Sequence, residues 1–64
     1  MYYVIKGYNA VKTVDEYCDT AYNKSEKKAL IKQYKEYLKS KELDMFKVAT
    51  YRNGGELKDV IAYQ

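Results

Sequence analysis

Histidine is missing from this 64-residue chain, and with it the commonest general base and metal ligand of enzyme sites. Cysteine occurs once, at Cys18, so no intramolecular disulfide can form and a Cys/His zinc site is excluded. A lone thiol suits a reducing compartment. Tryptophan is absent, and arginine occurs once, at Arg52. Arginine is the usual bidentate reader of guanine, which counts against sequence-specific reading of nucleic acid. No apolar run approaches the ~20 residues that span a bilayer. The opening Met-Tyr-Tyr-Val-Ile-Lys-Gly has no long apolar stretch of the secretory kind. The expectation is a soluble cytoplasmic protein with no membrane contact, in the host cytoplasm if the chain is viral. Internal repeats, linkers and low-complexity tails are also lacking.

What the chain has in excess is tyrosine, nine against one phenylalanine. A buried tyrosine needs a partner for its hydroxyl, so a small core cannot easily take them all. Some rings are expected at the surface, where tyrosine is enriched at contact hot spots. The net charge of +3 is concentrated. Residues 24–41 hold seven lysines against Glu26 and Glu36, and the rest of the chain is acidic overall.

Residues ~26–41 read as a helix around which the chain is organised. At 100° per residue, Leu30, Ile31, Tyr34, Tyr37 and Leu38 fill about a third of the circumference, the width of a core-facing stripe. Lys28, Lys32, Lys35 and Lys39 form a basic stripe on the other side. Ser25 is the expected N-cap, with Glu26 in the first turn and Lys39 and Lys41 in the last.

Residues ~1–8, rich in aromatic and β-branched side chains, read as a strand. Thr13-Val14-Asp15-Glu16 has the form of a capping box. Val14, Tyr17, Cys18, Ala21 and Tyr22 follow at helical spacing, so residues ~14–22 are expected to be a helix. Its stripe is about 160° out of phase with the Leu30 stripe, which favours a break at Asn23-Lys24-Ser25 over one long helix. Residues ~45–52 and ~56–63 read as a hairpin around Gly54-Gly55. That turn places Phe46 opposite Tyr63, Val48 opposite Ile61, Ala49 opposite Val60, and Tyr51 with Lys58. The expected fold is a small two-layer α+β domain spanning residues 1–64. Its order is β-α-α-β-β, a three-stranded, mainly antiparallel sheet with the helices on one face.

Candidate chemistry is sparse. Cys18 lies on the expected apolar stripe beside acidic residues that oppose thiolate formation, so it reads as a small buried hydrophobe. Asp15, Glu16 and Asp19 suit the start of a helix better than a cation site. Gly54-Gly55 is too short for a phosphate loop. No catalytic, cofactor or metal residue is expected, and the chain reads as a non-enzyme.

Two surfaces remain. The side of the sheet away from the helices is expected to show Tyr2, Val4, Tyr8, Lys47, Tyr51, Lys58 and Val60, with Arg52 near the hairpin tip. Rings mixed with lysines there suit a protein contact, a homodimer contact, or base stacking. The basic stripe of Lys28, Lys32, Lys35 and Lys39 could follow phosphates or meet an acidic protein surface. Small size, abundant tyrosine and missing catalytic chemistry suit a protein-binding inhibitor or adaptor, in the manner of small phage or mobile-element proteins that block a host enzyme. The alternative is a nucleic-acid binder that uses the lysine stripe and the sheet tyrosines. Partner-binding residues are expected at Tyr2, Tyr8, Lys47, Tyr51, Arg52 and Lys58.

Overall fold

Alternating side chains from Tyr2 to Tyr8 build the strand that the rest of the fold pairs with. In a computed structural model that describes residues 1–11 and 15–64, with only the backbone of residues 15 and 16, this is β1 (Tyr2–Tyr8). Next come β2 (Asp15–Ala21), α1 (Lys24–Lys39), β3 (Met45–Tyr51) and β4 (Leu57–Tyr63). Among the described residues the result is a four-stranded antiparallel sheet in the order β2-β1-β3-β4, with one helix on one face.

The expected three-stranded β-α-α-β-β fold is therefore wrong. From residue 15 onward the expected helix over ~14–22 is a strand. Its proposed cap reaches back through Thr13 and Val14, which lie outside the described residues. The physical reason for the error is a coincidence of periods. Tyr17 and Ala21, four apart, share a face in a helix and in a strand alike. The two structures differ at the residues between. A helix would bury Cys18 and expose Asp19, whereas β2 exposes Cys18 and turns Asp19 to the helix-covered side. There Asp19 Oδ2 accepts the Tyr34 hydroxyl at 2.7 Å. Pairing with β1, from Tyr3 opposite Ala21 to Gly7 opposite Tyr17, satisfies the backbone groups on one side of β2 and outweighs a weak helical tendency.

The helix itself starts two residues earlier than Ser25 suggested. Asn23 is extended (φ −152°, ψ 170°), and its Oδ1 accepts the Glu26 N–H at 2.8 Å. Glu26 Oε1 accepts the Tyr22 N–H in return, a reciprocal arrangement close to a capping box. At the other end the Lys41 N–H donates to Leu38 O and the Glu42 N–H to Tyr37 O, the two bonds of a Schellman motif. That motif needs a left-handed residue, and here it is Lys41, at φ 64°. Because a Cβ makes this conformation costly, Lys41→Gly is expected to stabilise the fold by about 0.5–1 kcal/mol. A rise in Tm with an unchanged far-UV spectrum would show it, and an unchanged or lowered Tm would refute the reading.

The core lies between α1 and one sheet face: Tyr3 and Ile5 from β1, Ala21 from β2, Phe46 and Val48 from β3, with Tyr34 and Leu43. Five rings run through it in edge and stacked contacts, Tyr17, Tyr37, Tyr34, Phe46 and Tyr63. Three of their hydroxyls have partners: Tyr34 donates to Asp19, Tyr37 accepts from Gln33 Nε2, and Tyr17 donates to Glu42. The helix side thus absorbs more of the tyrosines than the composition suggested.

The hairpin register is the expected one for Phe46–Tyr63, Val48–Ile61 and Ala49–Val60. Its turn is different. The Gly55 N–H donates to Arg52 O and the Arg52 N–H to Glu56 O, with Gly55 at φ 85°, so three residues form the loop. This loop moves the pairing by one residue, and an irregularity at Thr50/Tyr51 moves it back. Tyr51 consequently faces Leu57, and not Lys58 as expected. The apolar matches set the register, and the bulge absorbs the mismatch at the turn.

Candidate functional site

One helix cannot cover both faces of a sheet. Residues alternate across the strands, so Tyr3, Ile5 and Gly7 point to α1 and are buried, while Tyr2, Val4, Lys6 and Tyr8 take the other face. In β3 the second set is Met45, Lys47, Ala49 and Tyr51. Pairing joins the two sets row by row: Tyr2 with Tyr51, Val4 with Ala49, Lys6 with Lys47, Tyr8 with Met45. Thr20 and Cys18 extend two of these rows into β2, and Val60 and Ala62 extend them into β4.

This open face holds a shallow hollow of about 220 Å³. Val4, Lys6, Tyr8, Lys47, Ala49, Tyr51 and Val60 line it. Small side chains form the floor, since Ala49 sits at the centre between Val4 and Val60. Aromatic rings stand at both ends. Tyr2 and Tyr51 stack at 5.1 Å, nearly parallel, at one end. At the other, the Lys47 ammonium lies 5.3 Å from the centre of the Tyr8 ring, a cation–π contact that holds both side chains.

Of the residues singled out in the sequence, Tyr2, Tyr8, Lys47 and Tyr51 come together here. Arg52 and Lys58 do not line the hollow. Arg52 is exposed where the hairpin loop begins, and Lys58 is exposed at the bulge. The basic stripe residues Lys28, Lys32, Lys35 and Lys39 are all exposed on α1, across the sheet from the hollow. Lys35 leans over the Tyr63 ring, 5.6 Å from its centre. Sequence reasoning left Lys6 and Ala49 out of the site. Both were available from strict alternation, Lys6 with Tyr8 and Ala49 with Tyr51. Cys18, expected to be buried, is an exposed free thiol.

Tyr34, whose phenol is strongly perturbed, is remote from the hollow. Burial, and then the hydrogen bond to Asp19, push the Tyr34 phenol far above its ordinary value. A phenol held protonated under α1 strengthens the core and has no access to a substrate.

No protein-family model, curated protein or solved structure matches the chain. The functional reading therefore rests on this geometry. Among the described residues no helix is long and apolar enough to cross a membrane.

Proposed function

We propose that the chain is a non-enzymatic protein-binding module whose uncovered sheet face is its contact surface. It would act as an inhibitor or adaptor, in the manner of small phage or mobile-element proteins directed at a host enzyme. A cytoplasmic location belongs to the same proposal and rests on the lone thiol. The supporting observation is the open face itself. Three tyrosines, a small apolar floor and lysine stems lie side by side on the sheet, and tyrosine is among the residues enriched at contact hot spots. Tyrosine gives a large contact area with few torsions to immobilise.

Nucleic-acid binding is the second reading, and joint exposure of the four stripe lysines favours it. That reading also called on the sheet tyrosines, yet these lie across the sheet from α1. A strand stacked on the rings would have to wrap around a sheet edge to reach the lysine row.

Capture from cell lysate with and without nuclease, repeated with two variants, separates the readings. Tyr51→Ala is expected to weaken capture of a nuclease-resistant partner by about 2 kcal/mol, roughly thirtyfold in Kd. Lys32→Glu/Lys35→Glu should leave it nearly unchanged, with weak dependence on salt. Should only the lysine variant lose its partner, and should affinity fall steeply with salt, by a log–log slope near −0.9 per phosphate contact, the protein-binding reading is wrong.

A further inference from the structure

The two edges of the sheet differ. In β2 the exposed residues among those described, Cys18, Asp19 and Thr20, are short and mostly polar, with Tyr17 half-buried and Ala21 buried beside them. β4 shows Leu57, Val60 and Ile61, each about half exposed (51%, 49% and 47%), on an edge with one side paired to β3. An apolar edge strand without Pro is a template for another strand.

We propose that two copies of this chain associate through antiparallel β4–β4 pairing centred on Ile61, which joins their sheets into one of eight strands. The register follows from elimination. A two-fold axis normal to the sheet pairs residues of like face, so only residues an even number apart can oppose each other. Centring on Asp59 would set two carboxylates face to face. Centring on Val60 would run the new ladder through the bulged, lysine-bearing start of β4. Centring on Ile61 uses only the regular part of the strand. It sets Ile61 against Ile61 of the second copy and Val60 against its Ala62.

Charge then matches as well. Asp59 pairs with buried Thr50 and so lies on the helix side of the sheet, as does Tyr63, which stacks on Phe46. In the dimer Asp59 opposes Tyr63 of the second copy, over which Lys35 of that copy already leans. Each end of the interface therefore brings one carboxylate to one phenol and one ammonium, and the symmetry repeats this at the other end. The open faces of the two copies become continuous.

Sedimentation equilibrium of the intact chain from micromolar to submillimolar concentration is the test. The wild type is expected to move from the 7.6 kDa monomer to twice that mass. Ile61→Lys places like charges on the axis and should weaken association more than about tenfold. Asp59→Lys should weaken it, and Asp59→Lys/Lys35→Glu should restore it. A register test guards against misfolded variants. In a Cys18→Ser background, Ile61→Cys should oxidise to a covalent dimer, because opposed Cα atoms lie about 4.5–5.5 Å apart, within disulfide range. Leu57→Cys should not. A monomer at every concentration, a dimer indifferent to Ile61→Lys, no rescue by the charge swap, or equal cross-linking at residues 57 and 61 overturns the proposal. So does an edge that takes up a foreign extended strand while the chain alone stays monomeric.

Discussion

Replacing Tyr34 with alanine is expected to remove about 3–5 kcal/mol of stability, enough to leave the chain largely unfolded. A protein of this size has a total on the order of 3–10 kcal/mol. The ring is 1% exposed and touches Tyr17, Tyr37 and Phe46. It therefore links α1 to both β2 and β3. Tyr34→Phe separates packing from hydrogen bonding. It keeps the ring and loses the bond to Asp19, and because Asp19 is exposed and can be rehydrated, the cost should be only about 1–2 kcal/mol. The same pair predicts an alkaline effect. Folding raises the Tyr34 pKa above that of the unfolded chain. Its contribution is therefore complete below pH ~10, where the unfolded phenol begins to ionise, and declines as pH rises further. Denaturant titrations should show the wild type more stable than Tyr34→Phe up to that pH, with the gap closing above it. A gap that stays constant to strongly alkaline pH would refute the assignment.

The second large effect concerns the segment after the helix. Leu43, 2% exposed, is anchored by backbone bonds from Glu42 and Leu43 to Tyr37 O and from Asp44 to Tyr8 O. Its side chain fills the space that Gly7 leaves open on β1. Leu43→Ala should cost about 2–5 kcal/mol. A Cβ at Gly7 would stand 2.5 Å from Leu43 Cδ1 and 3.0 Å from Cδ2. Leu43 is confined on its other sides, so Gly7→Ala should cost about 1–3 kcal/mol by overpacking. The two changes offset each other, since the methyl enters the space the leucine vacates. The double variant should be more stable than the sum of the singles implies, by at least about 1 kcal/mol. Strict additivity in urea titrations would show that the two residues do not share one site.

Much of this architecture is legible in the residues, and the failures have physical causes. The core stripe of α1 and the β3–β4 register could be read because long periodic runs and matched apolar pairs leave few alternatives. Residues 15–21 misled because Tyr17 and Ala21 fit both periods, and a long-range contact, the hydrogen bond from the Tyr34 hydroxyl to Asp19, separates them. Ser25 reads as a cap because it too precedes the periodic run, yet Asn23, with Glu26 three residues on, has the better pattern and holds the position. The candidate surface was legible in its rings. One-sided cover of the sheet survives the loss of a helix, since β2 adds to the sheet and leaves the far face open. Arg52 stands near the hairpin tip as expected, whereas Lys58 is displaced from its place opposite Tyr51 because loop and bulge geometry is local and a one-residue shift changes which side chains pair.

The uncovered sheet face is proposed as the place where a partner docks. Cross-saturation from a captured, unlabelled partner to methyl-labelled protein tests it directly. Signal loss is expected at the methyl groups of Val4, Ala49 and Val60, while Ile5, Val48 and Leu43 are spared. Loss centred on Leu30 and Ile31 of the helix, with Val4 and Ala49 untouched, would contradict it.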